Sequence, residues 1–577
     1  MLDFRANDDA IRNHAITSIQ KTKAVASRFK LVEGSTARWF HGELNGVAVA
    51  CQARPVDASK TLQGVVGRMY DPLWWSRNLR REMRFQNEVE EHASGAIRRK
   101  TQCYVSDYAL HTTQRRARQN RKTLEALEVA NDNGEAFNLA DVSDSSVSNP
   151  KLRRAELMTR CKGFQNVAEF LGHEAVFLTL TCPSRFHRFG PDSKVNKNWT
   201  DETPRDGQKY LNGVWAKTRA EWKRRGFYPY GFRVAEPHHD GCPHWHILLF
   251  CPDDQAGWFV PRRALAGRLD QGAGVVGVAG QYALEDSPGE AGALKHRFTV
   301  KRIDPSKGDA TGYIAKYISK NIDGLTEDGG NVGLDYASGQ KATTGAARVR
   351  AWASTWGIRQ FQQIGGPSVT VWRELRKFKE DADKPLQLEL FKNCIAAADR
   401  AEWMSFWMLQ GGPEGGRAGL LKPKWVADGE GKYGEQITRV FGAQDRDGLN
   451  EVITRMHTWV IQKSGTQDLH NLETARWERR ELIARHPLIA KAAAVTPEAW
   501  NEFHSVMRPG HLVPEFKEGA GLPWTRVNNC TDSPKDDEAQ ALKDDFLRHS
   551  WGWDGKTNLE SFNHAKSNHG PGHQTRH

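Results

Sequence analysis

The 577-residue sequence predicts an α+β fold with a largely antiparallel sheet. Three observations carry that expectation. The segment AVFLTLTCP (175–183) alternates with period two, placing Val176, Leu178 and Leu180 on one face and Phe177, Thr179 and Thr181 on the other. That is a strand with one apolar and one mixed face. YGFRVAE (230–236) and HWHILLF (244–250) read as two more strands, joined by a short turn-rich connection that suits a hairpin. Helical patterns fall between and after these strands, at GQKYLNGVWAKTRAEWKRRG (207–226) and DATGYIAKYISKNID (309–323), so helices and strands mix.

Taken in order, residues 1–149 read as a basic, mainly helical region. Its clusters RRK (98–100) and QRRARQNRK (114–122) suit phosphate contact and equally suit the solvated face of ordinary helices. DVSDSSVSNP (141–150) has the composition of a linker and feeds Pro150 into the helical pattern KLRRAELMTRCKGFQNVAEFLG, with Gly172 placed to stop it. The mixed region runs over 150–384. Besides the elements above it holds a helix around PRRALAGRLD (261–270), a Gly-rich loop, and a strand at HRFTVKRI (296–303). Residues 385–527 are expected to be mainly helical, with TPEAWNEF (496–503) started by Thr496 as cap and Pro497 in the first turn. Trp403, Trp407, Trp459 and Trp477 in that region either stack on single-stranded bases or fill a core. Residues 528–577 lack apolar periodicity and are expected to be disordered, their five histidines binding metal only adventitiously. No internal repeat is visible.

The bulk numbers bound the function. A chain of this length exceeds one hydrophobic core and implies about three domains. Apolar residues make up 38% and mean hydropathy is −0.66, yet 20 Trp and 24 Phe argue against wholesale disorder. A net charge of +12 and a pI near 9.2 suit a polyanionic partner, nucleic acid before acidic membrane. Eight cysteines form no CxxC pair, which reads as reduced thiols rather than a disulfide scaffold or zinc ribbon. The N-terminus lacks a signal-peptide pattern and no stretch reaches the roughly 18 apolar residues of a membrane span, so a soluble intracellular protein is expected.

Two constellations carry chemistry. In EPHHDGCPHWHILLF (236–250), His244 and His246 lie two residues apart on a strand and point to the same side, while Trp245 faces away. A hairpin through 237–243 returns Glu236 beside His244. One carboxylate and two imidazoles suit Mg²⁺ or Mn²⁺, with Zn²⁺ as competitor. The bland reading is a pair of hydrogen-bonded histidines at a sheet edge. His238, His239 and Asp240 most simply serve the turn, Asp240-Gly241 being a natural tight-turn pair.

The second constellation is YIAKYISK (313–320). Tyr313, Lys316, Tyr317 and Lys320 form one helical stripe, with Ile314 and Ile318 on a neighbouring face that can pack on the sheet. Tyrosines at this spacing are usually core, but two lysines on the same stripe argue for a solvent-open face. The ammonium groups would hold a phosphodiester and favour phenolate, a competent nucleophile. Attack would leave a phosphotyrosyl link to one DNA end and a free 3′-hydroxyl on the other. Two tyrosines in one site allow a second cleavage while the first end is held.

FLTLTCPS (177–184), EPHHDGCPHWHILLF and YIAKYISKNIDG (313–324), in that order and spacing, resemble the motifs of HUH endonucleases. More narrowly they resemble the bacteriophage replication gene A protein family of two-tyrosine rolling-circle initiators. The resemblance runs from about 150 to 380 and includes RVRAWASTWGIRQFQQIGGPSVTVWRELR (348–376). It implies a five-stranded antiparallel sheet flanked by helices, with the HUH on a central strand. It also implies an Mg²⁺ or Mn²⁺ ion held by His244 and His246, and nicking of single-stranded or supercoiled origin DNA by Tyr313 and Tyr317. The 5′ phosphate would stay attached, the 3′-OH would prime synthesis, and the displaced strand would be religated. Glu236 as third ligand follows from the hairpin and from related viral initiators, and Lys316 and Lys320 are assigned to phosphate contact or tyrosine activation.

The nearest match to a P-loop, SWGWDGKT (550–557), has Ser550 at the first required Gly, so strand separation would fall to a host helicase and replisome in the bacterial cytoplasm. Two alternatives stay open. A relaxase of a mobile element shares the chemistry but commonly has three metal histidines and a tyrosine near its N-terminus. A non-catalytic basic DNA-binding protein would form no covalent adduct.

Overall fold

In the computed structural model, the described residues are 8–463 apart from 29–36, 58, 191–192, 258–273, 287–288, 326–333, 336–338, 340, 379–385, 387 and 415–418. The chain is α+β, with sixteen α-helices and eleven strands among them. The strands are β1 (Leu127–Asn131), β2 (Ala136–Asn138), β3 (Glu174–Thr181), β4 (Tyr230–Pro237), β5 (Pro243–Cys251), β6 (Phe298–Arg302), β7 (Phe361–Ile364), β8 (Leu421–Glu430), β9 (Gln436–Asp445), β10 (Glu451–Ile453) and β11 (Trp459–Lys463).

The sheet that matters has five strands in the order β6-β3-β5-β4-β7, every pair antiparallel. Its middle strand, β5, is covered on both faces, which is why ILLFC reads as a continuous apolar run rather than an alternating one. On one face Trp245, Ile247 and Leu249 share a core with Val176, Leu178 and Leu180, and with Trp215, Val276 and Trp352 from three helices. On the other, Leu248 and Phe250 join Phe177, Phe164, Ile314 and Ile318. The helices Pro150–Leu171 and Ala310–Ile322 therefore lie over the face that carries His244 and His246.

Local signals set these helices. Asn149 caps the first, Pro150 opens it, and Gly172 ends it at φ +67°. Asp309 caps Ala310–Ile322 by accepting from the Gly312 amide. Thr203 and Asp206 form a capping box at the start of Pro204–Arg224.

Four expectations need correction or completion. Residues 385–527 are not mainly helical over their described part: two helices, Glu389–Asp399 and Trp403–Met408, give way to β8–β11. DGEGKYGE (428–435) is a turn cluster between two strand-like runs, a hairpin signal that the Trp content obscured. The N-terminal region, though mostly helical, contributes the β1–β2 hairpin, and β11 completes that sheet. The Ser/Asp-rich segment 141–150 is the end of a helix, Leu139–Asp144, plus a turn that leads into Asn149. The Gly-rich loop before β6 contains the helix Val275–Leu284, where Trp222 Nε1 donates to the Val275 carbonyl at 3.0 Å.

The predicted helices at 261–270 and 496–503, the tail 528–577, Trp477 and the P-loop-like segment lie outside the described residues. Trp403 and Trp407 are core residues, and the seven described cysteines are free and buried. No described helix is long and apolar enough to cross a membrane.

Candidate active site

The turn between β4 and β5 builds the site. His238 N donates to the Cys242 carbonyl at 2.7 Å and Gly241 N to the His238 carbonyl at 2.8 Å, with Gly241 at φ +86°. That closure puts Glu236 directly opposite His244, and Thr179 of β3 opposite His246. His244 Nε2 and His246 Nε2 are 3.0 Å apart, and Glu236 Oε2 lies 3.9 and 3.7 Å from them. Ligands on one face of an ion bound at about 2.1 Å stand roughly 3.0–3.4 Å apart. The three residues are the one group of metal-ligand type found among the described residues. The two imidazole nitrogens, within hydrogen-bond distance of each other, stand at that ligand spacing, and Glu236 lies a few tenths of an ångström beyond it. The donor set, two nitrogens and a carboxylate, is of a kind that suits a hard divalent ion.

Electrostatics prepare the ligands. Burial holds the His246 pKa at about 4 and that of His244 well below the usual range, so both imidazoles are neutral near pH 7. His246 Nδ1 meets Thr179 Oγ1 at 3.2 Å, which leaves Nε2 aimed at the site. The His238 ring lies over His244 at 4.0 Å.

The second constellation arrives on the Ala310–Ile322 helix. Ile314 and Ile318 are buried, as the pattern required, while Tyr313 and Tyr317 are half-buried and Lys316 is exposed. Tyr317 packs its ring 4.0 Å from His246 and 5.4 Å from Phe177. Tyr313 lies 6.4 Å from Tyr317, with Phe177 at 4.6 Å and Lys301 Nζ 4.3 Å above its ring.

The stripe is thus less open than the lysines implied, and they do not favour phenolate: burial, with Tyr313 and Glu236, pushes Tyr317 up to about 12. Lys320 faces carboxylates instead, its Nζ 3.6 Å from Glu236 Oε2 and 3.7 Å from Asp335 Oδ1. Burial opposes its charge, yet the two carboxylates outweigh it and raise its pKa.

Several residues around the site were not singled out from the sequence. Asn321 donates to Glu236 Oε1 and, at 2.7 Å, to the Tyr317 carbonyl, tying the ligand to the tyrosine helix. Tyr104 donates to both oxygens of Asp335 at 2.8 Å. His187 Nδ1 lies 3.2 Å from the buried Asp240 carboxylate, so Asp240 braces the turn as well as shaping it. Asn321 was findable, standing four residues after Tyr317. Tyr104 is far from the motifs in sequence, while His187 and Asp335 follow shortly after FLTLTCPS and YIAKYISKNIDG but carry no local signal of their own.

The family described as "Bacteriophage replication gene A protein (GPA)" matches residues 13–325. The chain is 38% identical over 416 residues to "Replication gene A protein" of Escherichia phage 186, covering 70% of this chain and 56% of that one. It is 36% identical over 411 residues to "Probable replication protein P12" of Pseudoalteromonas phage PM2, covering 70% and 61%. It is 30% identical over 482 residues to "Probable replication endonuclease from prophage-like region 1" of Salmonella typhi, covering 81% and 52%. The chain thus spans little more than half the length of these relatives. No solved structure matches it.

Proposed function

Because the chain belongs to the bacteriophage replication gene A protein family, we propose that it is a replication endonuclease that nicks DNA through a tyrosine and keeps the cut end. The observation that carries this reading is the meeting of two constellations. Glu236, His244 and His246 converge within 3.9 Å, and Tyr317 packs on His246 from a helix that also holds Tyr313. The placement of the histidines on the middle of five antiparallel strands supports an HUH fold.

In this reading Glu236, His244 and His246 would hold Mg²⁺ or Mn²⁺, which when bound would supply Lewis acidity for phosphoryl transfer. Tyr317 attacks phosphorus first, being the tyrosine against His246. Its phenol gives up its proton to solvent water as the new phosphorus–oxygen bond forms and the bond to the 3′ oxygen breaks. That oxygen leaves as a 3′-hydroxyl after taking up a proton, and the 5′ phosphate stays on the tyrosine. Tyr313 then serves a second transfer while the first end is held. Lys316, exposed on the same helix, contacts phosphate, while Lys320 holds Glu236 and Asp335 in place.

The test uses labelled single-stranded DNA spanning a candidate origin, with Mn²⁺, resolved on a denaturing gel. Wild type should give a protein-linked band that EDTA abolishes. Tyr317→Phe should lose most of it, Tyr313→Phe less, and the double variant all of it. No adduct from wild type on any strand of a phage origin sinks the nuclease reading in favour of a non-catalytic DNA-binding protein.

A further inference from the structure

Away from the tyrosines, the helices Pro72–Ala93 and Asp107–Glu125 bring together arginines that outnumber the nearby carboxylates, Glu82 and Asp206. Glu88 fixes the crossing, accepting from Ser106 N at 3.1 Å and from Ser106 Oγ at 2.5 Å. One turn before Glu88 stands Arg84, half-buried, and two turns before it Arg81. Arg116 lies on the opposing helix. Beside them, Arg54 and Arg205 both stack on the Phe85 ring, at 4.9 and 4.8 Å.

Among the described residues Arg54 has a carboxylate partner, Glu82 at 2.5 Å, but no hydrogen bond or ion pair is found for Arg81, Arg84, Arg116 or Arg205. Arg84, Arg116 and Arg205 are half-buried and Arg81 is exposed, and like charges gathered at a helix crossing cost stability. Burial and the facing Arg116, with Arg81 and Arg80 adding, lower the Arg84 pKa to about 10, which still leaves it charged. A structural role would supply an acceptor. A site held ready for an external polyanion leaves the place of the acceptor vacant.

The seam also connects physically to the turn between β4 and β5, the strands that carry Glu236, His244 and His246. Phe85 meets Trp356 edge-on at 5.6 Å. Trp356 ends the helix Ala342–Trp356, and one turn earlier on it Trp352 Nε1 donates to the Gly241 carbonyl at 2.8 Å. We propose that Arg81, Arg84, Arg116 and Arg205 form a second DNA site, which grips phosphodiesters of the strand or duplex beside the nick and anchors origin DNA against the β4–β5 turn. This rests on the reading of the chain as a DNA-nicking enzyme, since it takes DNA as the polyanion.

The test separates the two. Binding is read by fluorescence anisotropy in EDTA, in a Tyr313→Phe/Tyr317→Phe background, with a mixed-sequence oligonucleotide as single strand in one arm and as duplex in the other. An enzyme that forms no adduct can still pass, and one that forms adducts can still fail. Arg84→Gln/Arg116→Gln should lower the slope of log K against log salt by about 1.8 on duplex or about 1.4 on single strand, for two lost phosphate contacts. The arm that shows the loss identifies which form is gripped. The melting temperature should hold or rise, because no internal partner is lost. Arg84→Lys/Arg116→Lys, which keeps the charge, should retain most of the slope. An unchanged slope in both arms overturns the proposal, whether or not the melting temperature moves. So does a slope lost equally in the lysine variant, since that marks a packing role.

Discussion

Glu236 accepts from Asn321 and is the counter-ion of Lys320, and the proposed function would add a metal ion to the same carboxylate. In wild type, Mn²⁺ at about a hundred times its Kd should add roughly 2.7 kcal/mol of stability, seen as a rise in melting temperature. Glu236→Gln or His246→Ala should remove most of that rise, and its survival would move the metal elsewhere. Lys320→Met leaves Glu236 and Asp335 without their shared cation, so in EDTA it should cost about 3 kcal/mol by urea denaturation. Mn²⁺ should restore part of this; an unchanged EDTA midpoint would show that Lys320 does not hold the pair.

His92, packed between Trp199 and Trp356 and against the Asp240 backbone, gives a pH signature beside the β4–β5 turn. Burial lowers its pKa from 6.5 to about 4. Between these values the unfolded chain binds a proton that the folded chain refuses, so stability is full above pH 6.5 and falls toward pH 4. The loss from this residue is on the order of 3 kcal/mol. A His92→Gln variant should show a shallower acid slope, and an identical slope would assign the effect to other groups.

At the scale of elements, the β4–β5 hairpin and the Ala310–Ile322 helix were legible because their signals are local. Period-two alternation, an Asp-Gly turn and an i, i+4 pair of isoleucines each act within a few residues. The hairpin's register then placed Glu236 opposite His244, as its spacing required. Gly241 shows how tightly this is held: its φ is +86°, and a Cβ there would come within 3.1 Å of the Tyr104 carbonyl oxygen. Gly241→Ala should cost about 1–3 kcal/mol and reduce adduct formation by displacing His244. Normal stability with normal adduct yield would show that the turn tolerates a side chain. The strands β8–β11 were not legible, because their partners and the surfaces they cover lie far away in sequence.

Across the whole molecule, residues 421–463 tie distant parts together. β11 pairs with β1. Arg68 meets Glu435 at 2.7 Å, and Tyr433 donates to Asp71 at 2.5 Å. Thr454 and Arg455 bond the buried Glu374 at 2.8 and 2.7 Å. A chain ending before Leu421 should therefore unfold at lower urea and become protease-sensitive around 127–138. Wild-type resistance there would mean that β1–β2 holds without β11.

The sequence by itself determined the chemistry on offer: which side of β5 carries the histidines, which face of the helix carries the tyrosines, and that a carboxylate returns beside them. Those follow from the two-residue and 3.6-residue periods of strand and helix, which no tertiary contact alters. Only the tertiary structure decided how the lysines are used. It turned Lys320 from an expected phosphate ligand into the partner of Glu236 and Asp335, and it pushed the Tyr317 phenol up to about 12 rather than down. Charge state depends on burial and on neighbours distant in sequence, and neither is written into a local pattern.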